Sequence, residues 1–313
     1  MPVPTPELDA QYRLLREEAG LVARAGRAWI EVLGADAAEF LQSQLTNEIE
    51  ALGVGEGCYA ALLDRKGRMR SDMRVLKLAD DLIEIDCPAA CAEEVSRHLD
   101  TYRIGREVEI RTRDDLMVLS VLGPRSVEVL GGTPFGAEHA HRVERIAEHD
   151  VRLVATDAGA DLVGTTAALE AVGEQLVARG AETASEAAAE ILRVESARPA
   201  FGAEMGNETI PQEAGINERV VSFDKGCYVG QETVARLHFK GKPNRHLRRL
   251  SAAEPMPPGA PVVRGEKQVG TIGTSVISPS RGPLALAILR REAEPGDEVQ
   301  VGTISATVEE AGA

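Results

Sequence analysis

The stretch LIEIDCPAACAEEVSRHLDTYRIG, residues 82–105, changes period partway along its length. Asp81 to Asp86 predicts a strand, and about Pro88 to Tyr102 a helix. The same pattern returns in LVGTTAALEAVGEQLVARG, residues 162–180, where Ala160 to Thr165 predicts a strand and Ala167 to Arg179 a helix. The two segments share pattern rather than residues, and they read as weak internal repeats of one supersecondary unit. Strands in mixed order with amphipathic helices predict an α+β fold built from units of the ferredoxin-like, split-βαβ kind.

Toward the N-terminus, Glu7 to Ala19 predicts a helix and Trp29 to Leu33 a strand, and a helix faced by Phe40, Leu41 and Leu45 starts with Asp36 as N-cap. Gly57 to Leu63 and Met69 to Leu78 read as strands joined by the turn Asp64-Arg65-Lys66-Gly67, with further strands at Val108 to Arg111 and Leu116 to Leu122. Ser185 to Val194 is Ala-rich and helical. Ala200 to Asp224 has no long period, and a connection of that length is usually functional or disordered. From about His246 short apolar runs at residues 247–250, 260–263, 268–272, 284–289 and 299–304 are divided by Gly/Pro turns, the texture of a small β-barrel. The expected division is 1–244 and 245–313.

The 313 residues suit two or three domains at roughly 100–200 residues each. The formal net charge of −15 argues against a general nucleic-acid or anionic-membrane binder, both of which need a basic surface. Aromatic residues are 3%, so the cores must rest on Leu, Val, Ile and Ala. Four cysteines (Cys58, Cys87, Cys91, Cys227) are too few for a disulfide framework at this length. MPVPTPELDA lacks the layout of a secretory signal, and no apolar run reaches the 18 or so residues of a membrane span. The expectation is a soluble, cytoplasmic protein.

The segment richest in candidate chemistry is Asp224-Lys225-Gly226-Cys227-Tyr228-Val229-Gly230-Gln231-Glu232-Thr233. A cysteine ahead of a predicted helix (Gly230 to Leu237) and near a lysine has its thiolate favoured, which suits a nucleophile, a redox centre or a soft metal ligand. The bland alternative is a small residue buried in a tight turn. Cys87 and Cys91 share a helix face without further ligands to complete a zinc set, and no metal is expected. Asp72 stands on a strand among Arg65, Lys66, Arg68, Arg70 and Arg74, either as a salt-bridged surface residue or as a proton acceptor in a pocket. Asp224 to Arg249 holds seven basic and two acidic side chains, either a site for an anionic ligand or a solvated helix and linker.

KGCYVGQE, residues 225–232, resembles the signature K-G-C-[YF]-x-G-Q-E of the YgfZ family of folate-binding proteins, related to the T-protein (aminomethyltransferase) of the glycine cleavage system. FLQSQLTN (40–47), YAALLDRKGR (59–68), LRVES (192–196), IPQEAG (210–215) and RLHFKG (236–241) extend the likeness along the chain. The resemblance implies a T-protein-like ring in which two intertwined subdomains and the barrel surround a channel for tetrahydrofolate. It places Asp72, in GRMRSDM, at the folate-contacting catalytic aspartate, Tyr59 and Glu195 at the pterin and Asn47 along the channel. The ligand's glutamate tail is expected at the cationic stretch beginning with Arg236.

The T-protein's F-D-V-S-H-M-type stretch is absent, and LVARAG (21–26) stands in its place, while the KGC signature is one that T-proteins lack. The expected function is therefore a monomeric, tetrahydrofolate-binding accessory factor for assembly or repair of iron–sulfur clusters in client enzymes, including enzymes that modify tRNA. Cys227, Lys225 and Asp72 would carry its chemistry, with iron–sulfur client or assembly proteins as partners and no direct contact with nucleic acid or membrane. The alternative is one-carbon transfer of the aminomethyltransferase kind.

Overall fold

A computed structural model describes residues 4–311. The chain builds two open sheets and one closed barrel. A five-stranded sheet runs in the order Gly57–Leu63, Met69–Ala79, Leu82–Pro88, Arg27–Leu33, Glu109–Arg113. A six-stranded sheet runs Glu182–Thr183, Gly20–Arg24, Leu116–Leu122, Gly159–Thr165, His149–Thr156, His141–Ile146. In the first, helix Ala92–Tyr102 links Leu82–Pro88 to Glu109–Arg113, and these strands flank Arg27–Leu33 on either side, which is the split-βαβ arrangement. Helix Thr166–Ala178 makes the matching connection in the second, from Gly159–Thr165 to Glu182–Thr183, which pairs in parallel with Gly20–Arg24. The chain passes between the sheets at residues 25–26 and returns at 114–115, so the two units are intertwined.

Local chemistry explains the ends of these elements. Thr5, Thr165 and Ser185 each place a side-chain oxygen on a backbone N–H of the following helix's first turn. Asp36 departs from its expected role: its carboxylate makes no cap bond and instead accepts from the Glu107 N–H at 2.9 Å. The expected helix from Pro88 opens as a short 3-10 turn, Ala89–Cys91, before Ala92–Tyr102. Cys87 and Cys91 are buried in the core under the five-stranded sheet, beside Phe40, Leu41, Val95 and Leu99.

The barrel closes through Arg245–Ala252, Gly282–Arg290, Lys267–Ser278, Pro261–Arg264, Glu298–Val301 and Ile304–Glu310. The run at 299–304 is a hairpin rather than one strand: it ends Glu298–Val301, turns, and enters Ile304–Glu310. Leu247, Val276, Leu284 and Leu286 of the barrel pack against Tyr12 and Leu15 of helix Pro6–Glu17 and Ile191 of helix Glu186–Glu195. Residues 200–224 are neither disordered nor open: Met205, Ala214, Ile216, Val220 and Val221 form a core with Ala61, Leu63 and Tyr228. No helix among the described residues is long and apolar enough to cross a membrane.

The sheets face each other through a small apolar layer, Trp29, Leu76, Val118, Val154 and Val163, and beside it a chain of charges. Asp86, fully buried, accepts from Arg27 Nε and Arg74 Nε, each at 2.6 Å. Arg74 also donates across to Asp161 in the other sheet at 2.6 Å, and Asp161 accepts from the Ser120 hydroxyl at 2.5 Å. Burial alone would raise the Asp86 pKa, but Arg27 and Arg74 together outweigh it and hold it below the ordinary value.

Candidate functional site

Between the sheets lies a cavity of about 780 Å³ lined by both of them, by helices Pro6–Glu17 and Glu186–Glu195, and by connecting loops. Among the described residues the barrel contributes nothing to this lining, so the walls come from the intertwined units alone. Asp72 pairs with Ala61 across the hairpin and Tyr59 with Arg74, which puts Tyr59, Asp72 and Arg74 on the face that lines the cavity. Tyr59 donates its hydroxyl to Asp72 Oδ2 at 2.6 Å. Asp72 Oδ1 is buried without a partner among the described residues, a costly state for a carboxylate oxygen unless a ligand answers it. The rim is cationic, with Arg16, Arg24, Arg27, Arg74, Arg193, Arg198 and Arg219 all in the lining. Most are answered: Arg198 pairs with Asp157, and Arg219 pairs with Glu138 while lying 5.3 Å from the Tyr59 ring. Arg24 has neither an ion pair nor a hydrogen bond through its side chain among the described residues.

The cavity gathers Asp72 and Tyr59 and leaves out the other expected ligand contacts. Glu195 does not line it: its carboxylate accepts from Tyr12 at 2.9 Å, from Ser280 at 3.2 Å and from Ser278, fastening helix Glu186–Glu195 to the barrel. Asn47 is likewise spent on backbone, donating to the carbonyls of Tyr59 at 2.8 Å and Arg219 at 3.0 Å, so it positions two lining residues without lining the cavity itself. Arg236 is exposed on helix Gln231–Lys240, away from the lining. The three later arginines of the expected cationic stretch are engaged elsewhere, Arg245 with Glu213, Arg248 with Glu310 and Arg249 with Glu309. Missed by sequence reasoning were His139, Thr156, Arg24, Arg198 and Arg219, which come from separate strands and loops and carry no shared motif.

The signature loop sits at the other end of the same hairpin face, where Tyr228 packs on Ala61 and Leu63. Lys225 is 8% exposed and donates to three backbone carbonyls, Gln42 at 2.7 Å, Leu45 at 2.8 Å and Asn47 at 2.6 Å, which binds the loop to the C-terminal end of helix Ala37–Gln44. Its ammonium is therefore engaged away from the Cys227 thiol, contrary to the expected pairing. Burial lowers its pKa to about 8, while three acceptors at once require all three protons of the charged form. Gly230 holds φ +84°, and a Cβ there would lie 2.4 Å from the Asp64 carbonyl oxygen, so the turn of the hairpin and the loop can meet only at a glycine.

Cys227 is exposed and lies outside the cavity lining, so it is not the small buried residue of the bland reading. Burial pushes the Cys58 and Cys87 thiols up to about 12 and raises that of Cys91. All four are free. Because the thiolate is the reactive form, Cys227 should be alkylated first by a thiol reagent at neutral pH, with the other three labelled only on unfolding. Peptide mass mapping after timed labelling checks this, and faster modification of Cys58 would contradict it. Melting should not respond to reductant.

A fold of two intertwined α+β units and a barrel, with a carboxylate and a cationic rim in a cavity between the sheets, places the chain in a class. It belongs to the GCVT N-terminal domain family, matched over residues 5–225, and residues 244–312 match the CAF17 C-terminal β-barrel domain. Within that family it is a homologue of the YgfZ proteins, 30% identical to the tRNA-modifying protein YgfZ of Vibrio vulnificus over 77% of this chain and 72% of the relative. It is 26% identical to an aminomethyltransferase of Rubrobacter xylanophilus over 96% of this chain and 84% of the relative. The glycine cleavage system aminomethyltransferase T from Bartonella henselae has the same fold, with a TM-score of 0.86 at 22% identity over 99% of this chain and 90% of that one.

Proposed function

We propose that this chain binds tetrahydrofolate between its two sheets and serves as an accessory factor for iron–sulfur enzymes, tRNA-modifying enzymes among them. The observation that carries the reading is the Asp72 carboxylate, with one oxygen held by Tyr59 and the other buried and unanswered in a cavity of ligand size. A reduced pterin offers ring N–H donors, and a bond to a buried carboxylate is of the stronger, charge-assisted kind. Arg24, a lining cation with no side-chain partner among the described residues, would meet the carboxylates of the glutamate tail in place of Arg236. When bound, the folate would supply a reduced, nitrogen-rich ring at Asp72; this chain's own residues bind and orient it. Similarity to the YgfZ proteins, and a signature loop whose thiol is exposed outside the cavity, support action on a partner over turnover within the cavity.

Calorimetric titration with tetrahydrofolate tests the binding, and Asp72→Ala should weaken it by about 1–3 kcal/mol. Absence of binding at high micromolar ligand sinks the folate reading. The cellular role is tested by complementation: Cys227→Ser should keep folate affinity yet fail to restore 4Fe–4S enzyme activity in a deletion strain. Full rescue would make the thiol dispensable and leave a folate carrier. Aminomethyl transfer is the second reading, favoured by the match of 96% of the chain to an aminomethyltransferase. Release of ammonia and methylene-tetrahydrofolate from an aminomethylated carrier protein would establish it.

A further inference from the structure

Beside the Tyr59–Asp72 pair, the cavity wall carries a histidine in an unusual conformation. His139 holds φ +69°, in the left-handed region that side-chain-bearing residues seldom occupy. The backbone is pinned on both sides, because its N–H donates to the Ala155 carbonyl at 2.9 Å and its carbonyl accepts from His141 Nδ1 at 3.2 Å. Strain that the surroundings over-determine in this way gathers at ligand sites. The side chain lines the cavity with its ring centroid 6.4 Å from that of Tyr59. Its Nδ1 is buried with no hydrogen-bond partner among the described residues. Nε2 stands 3.8 Å from a Glu138 oxygen, beyond hydrogen-bond length, and in the tautomer with the proton on Nε2 the Nδ1 atom is an acceptor. Burial, together with the nearby Arg74 and Arg219, lowers the imidazole pKa to about 4, so the ring is neutral at neutral pH.

The wall around Tyr59 therefore presents two unanswered acceptors, Asp72 Oδ1 and His139 Nδ1. The terminal torsions of Asp and His are broad, so a small rotation brings either atom to a ligand. Thr156 Oγ1, also unpaired in the lining, can donate or accept and does not discriminate. Asp72 Oδ1 can take the N3–H and 2-amino edge that oxidised and reduced pterins share, whereas an acceptor opposite N5 or N8 tells the two apart. The fully oxidised pterin has bare nitrogens at N5 and N8, whereas the tetrahydro ring carries N–H at both. Lone pair would face lone pair in the first case, leaving a buried acceptor unmet.

We propose that His139 is a ligand-contacting residue that selects the reduced over the oxidised pterin ring by accepting a hydrogen bond from a ring N–H present only in the reduced form. The proposal rests on the folate reading of the cavity and adds to it the oxidation state that the site recognises and the residue that reads it.

The test is anaerobic calorimetry of the full chain with tetrahydrofolate and with folic acid. Glycine tolerates the left-handed backbone without strain and removes the acceptor, whereas asparagine tolerates it and keeps one. The wild type should prefer tetrahydrofolate. His139→Gly should lose about tenfold of that preference, mainly through weaker tetrahydrofolate binding, and His139→Asn should retain most of it. A merely structural role would lower both affinities together and leave their ratio unchanged, and that result overturns the proposal. Equal binding of the two ligands by the wild type also overturns it while leaving the folate reading intact. Binding of neither ligand defeats the folate reading itself, and the selectivity falls with it.

Discussion

Asp86→Ala should destabilise the protein by about 3–5 kcal/mol, the cost of breaking a buried ion pair from one side. Asp86 is fully buried, and both its oxygens are engaged, one by Arg27 and the other by Arg74. Its removal leaves Arg74 with Asp161 as its remaining carboxylate and breaks the bridge between the sheets on one bank. The folded-state pKa of Asp86 is depressed, so its contribution is fully present above the unfolded value of about 3.9 and is lost as pH falls through the lower folded value. Urea midpoints at neutral pH and near pH 3 check both statements: the gap between wild type and variant should be widest at neutral pH and shrink in acid. A loss below about 1 kcal/mol at neutral pH would show that the network is dispensable.

Lys225→Met should cost about 2–4 kcal/mol, because one buried and two half-buried carbonyls lose a charged donor that an apolar head cannot replace. The loss should appear in thermal and urea unfolding. Tetrahydrofolate affinity of the folded variant should change little, since Lys225 does not line the cavity. A large fall in affinity with unchanged stability would instead return the lysine to the ligand chemistry expected from its place beside Cys227.

The helices of the units at 81–102 and 160–179 were legible because each buries one face and so keeps a clean period, whereas their strands Leu82–Pro88 and Gly159–Thr165 are buried on both faces. His141–Ile146 and His149–Thr156 were not legible: the first is an edge strand with charged side chains on both faces and an exposed Val143, as in HRVERI, and its pattern resembles a loop. Gly20–Arg24 is too short to show a period. Residues 200–224 looked like a functional loop because their core contacts are made across the fold, to Ala61, Leu63 and Tyr228, rather than along a helix or strand. For the site, Asp72 and Tyr59 were legible through the resemblance, and they share one face of one hairpin. Lys225 was placed beside Cys227 by spacing, yet its long side chain reaches back to the end of a distant helix. His139 gave no signal, because its left-handed backbone and unpaired nitrogen exist only once the loop is pinned to Ala155.

The double passage of the chain between the sheets bears on how the molecule is made. Strand Gly20–Arg24 gains its parallel neighbour only from Glu182–Thr183, near the far end of the intertwined module. The module's contact order is accordingly high, and non-local pairing of this kind closes large loops before it gains contacts, which slows folding. On the ribosome the early strand must wait through most of synthesis for its partner, with one sheet edge open to other chains. Cutting the chain at 114–115 would leave the whole five-stranded sheet in the first piece together with Gly20–Arg24, so the second piece would hold a six-stranded sheet short of the strand that lies between Leu116–Leu122 and Glu182–Thr183.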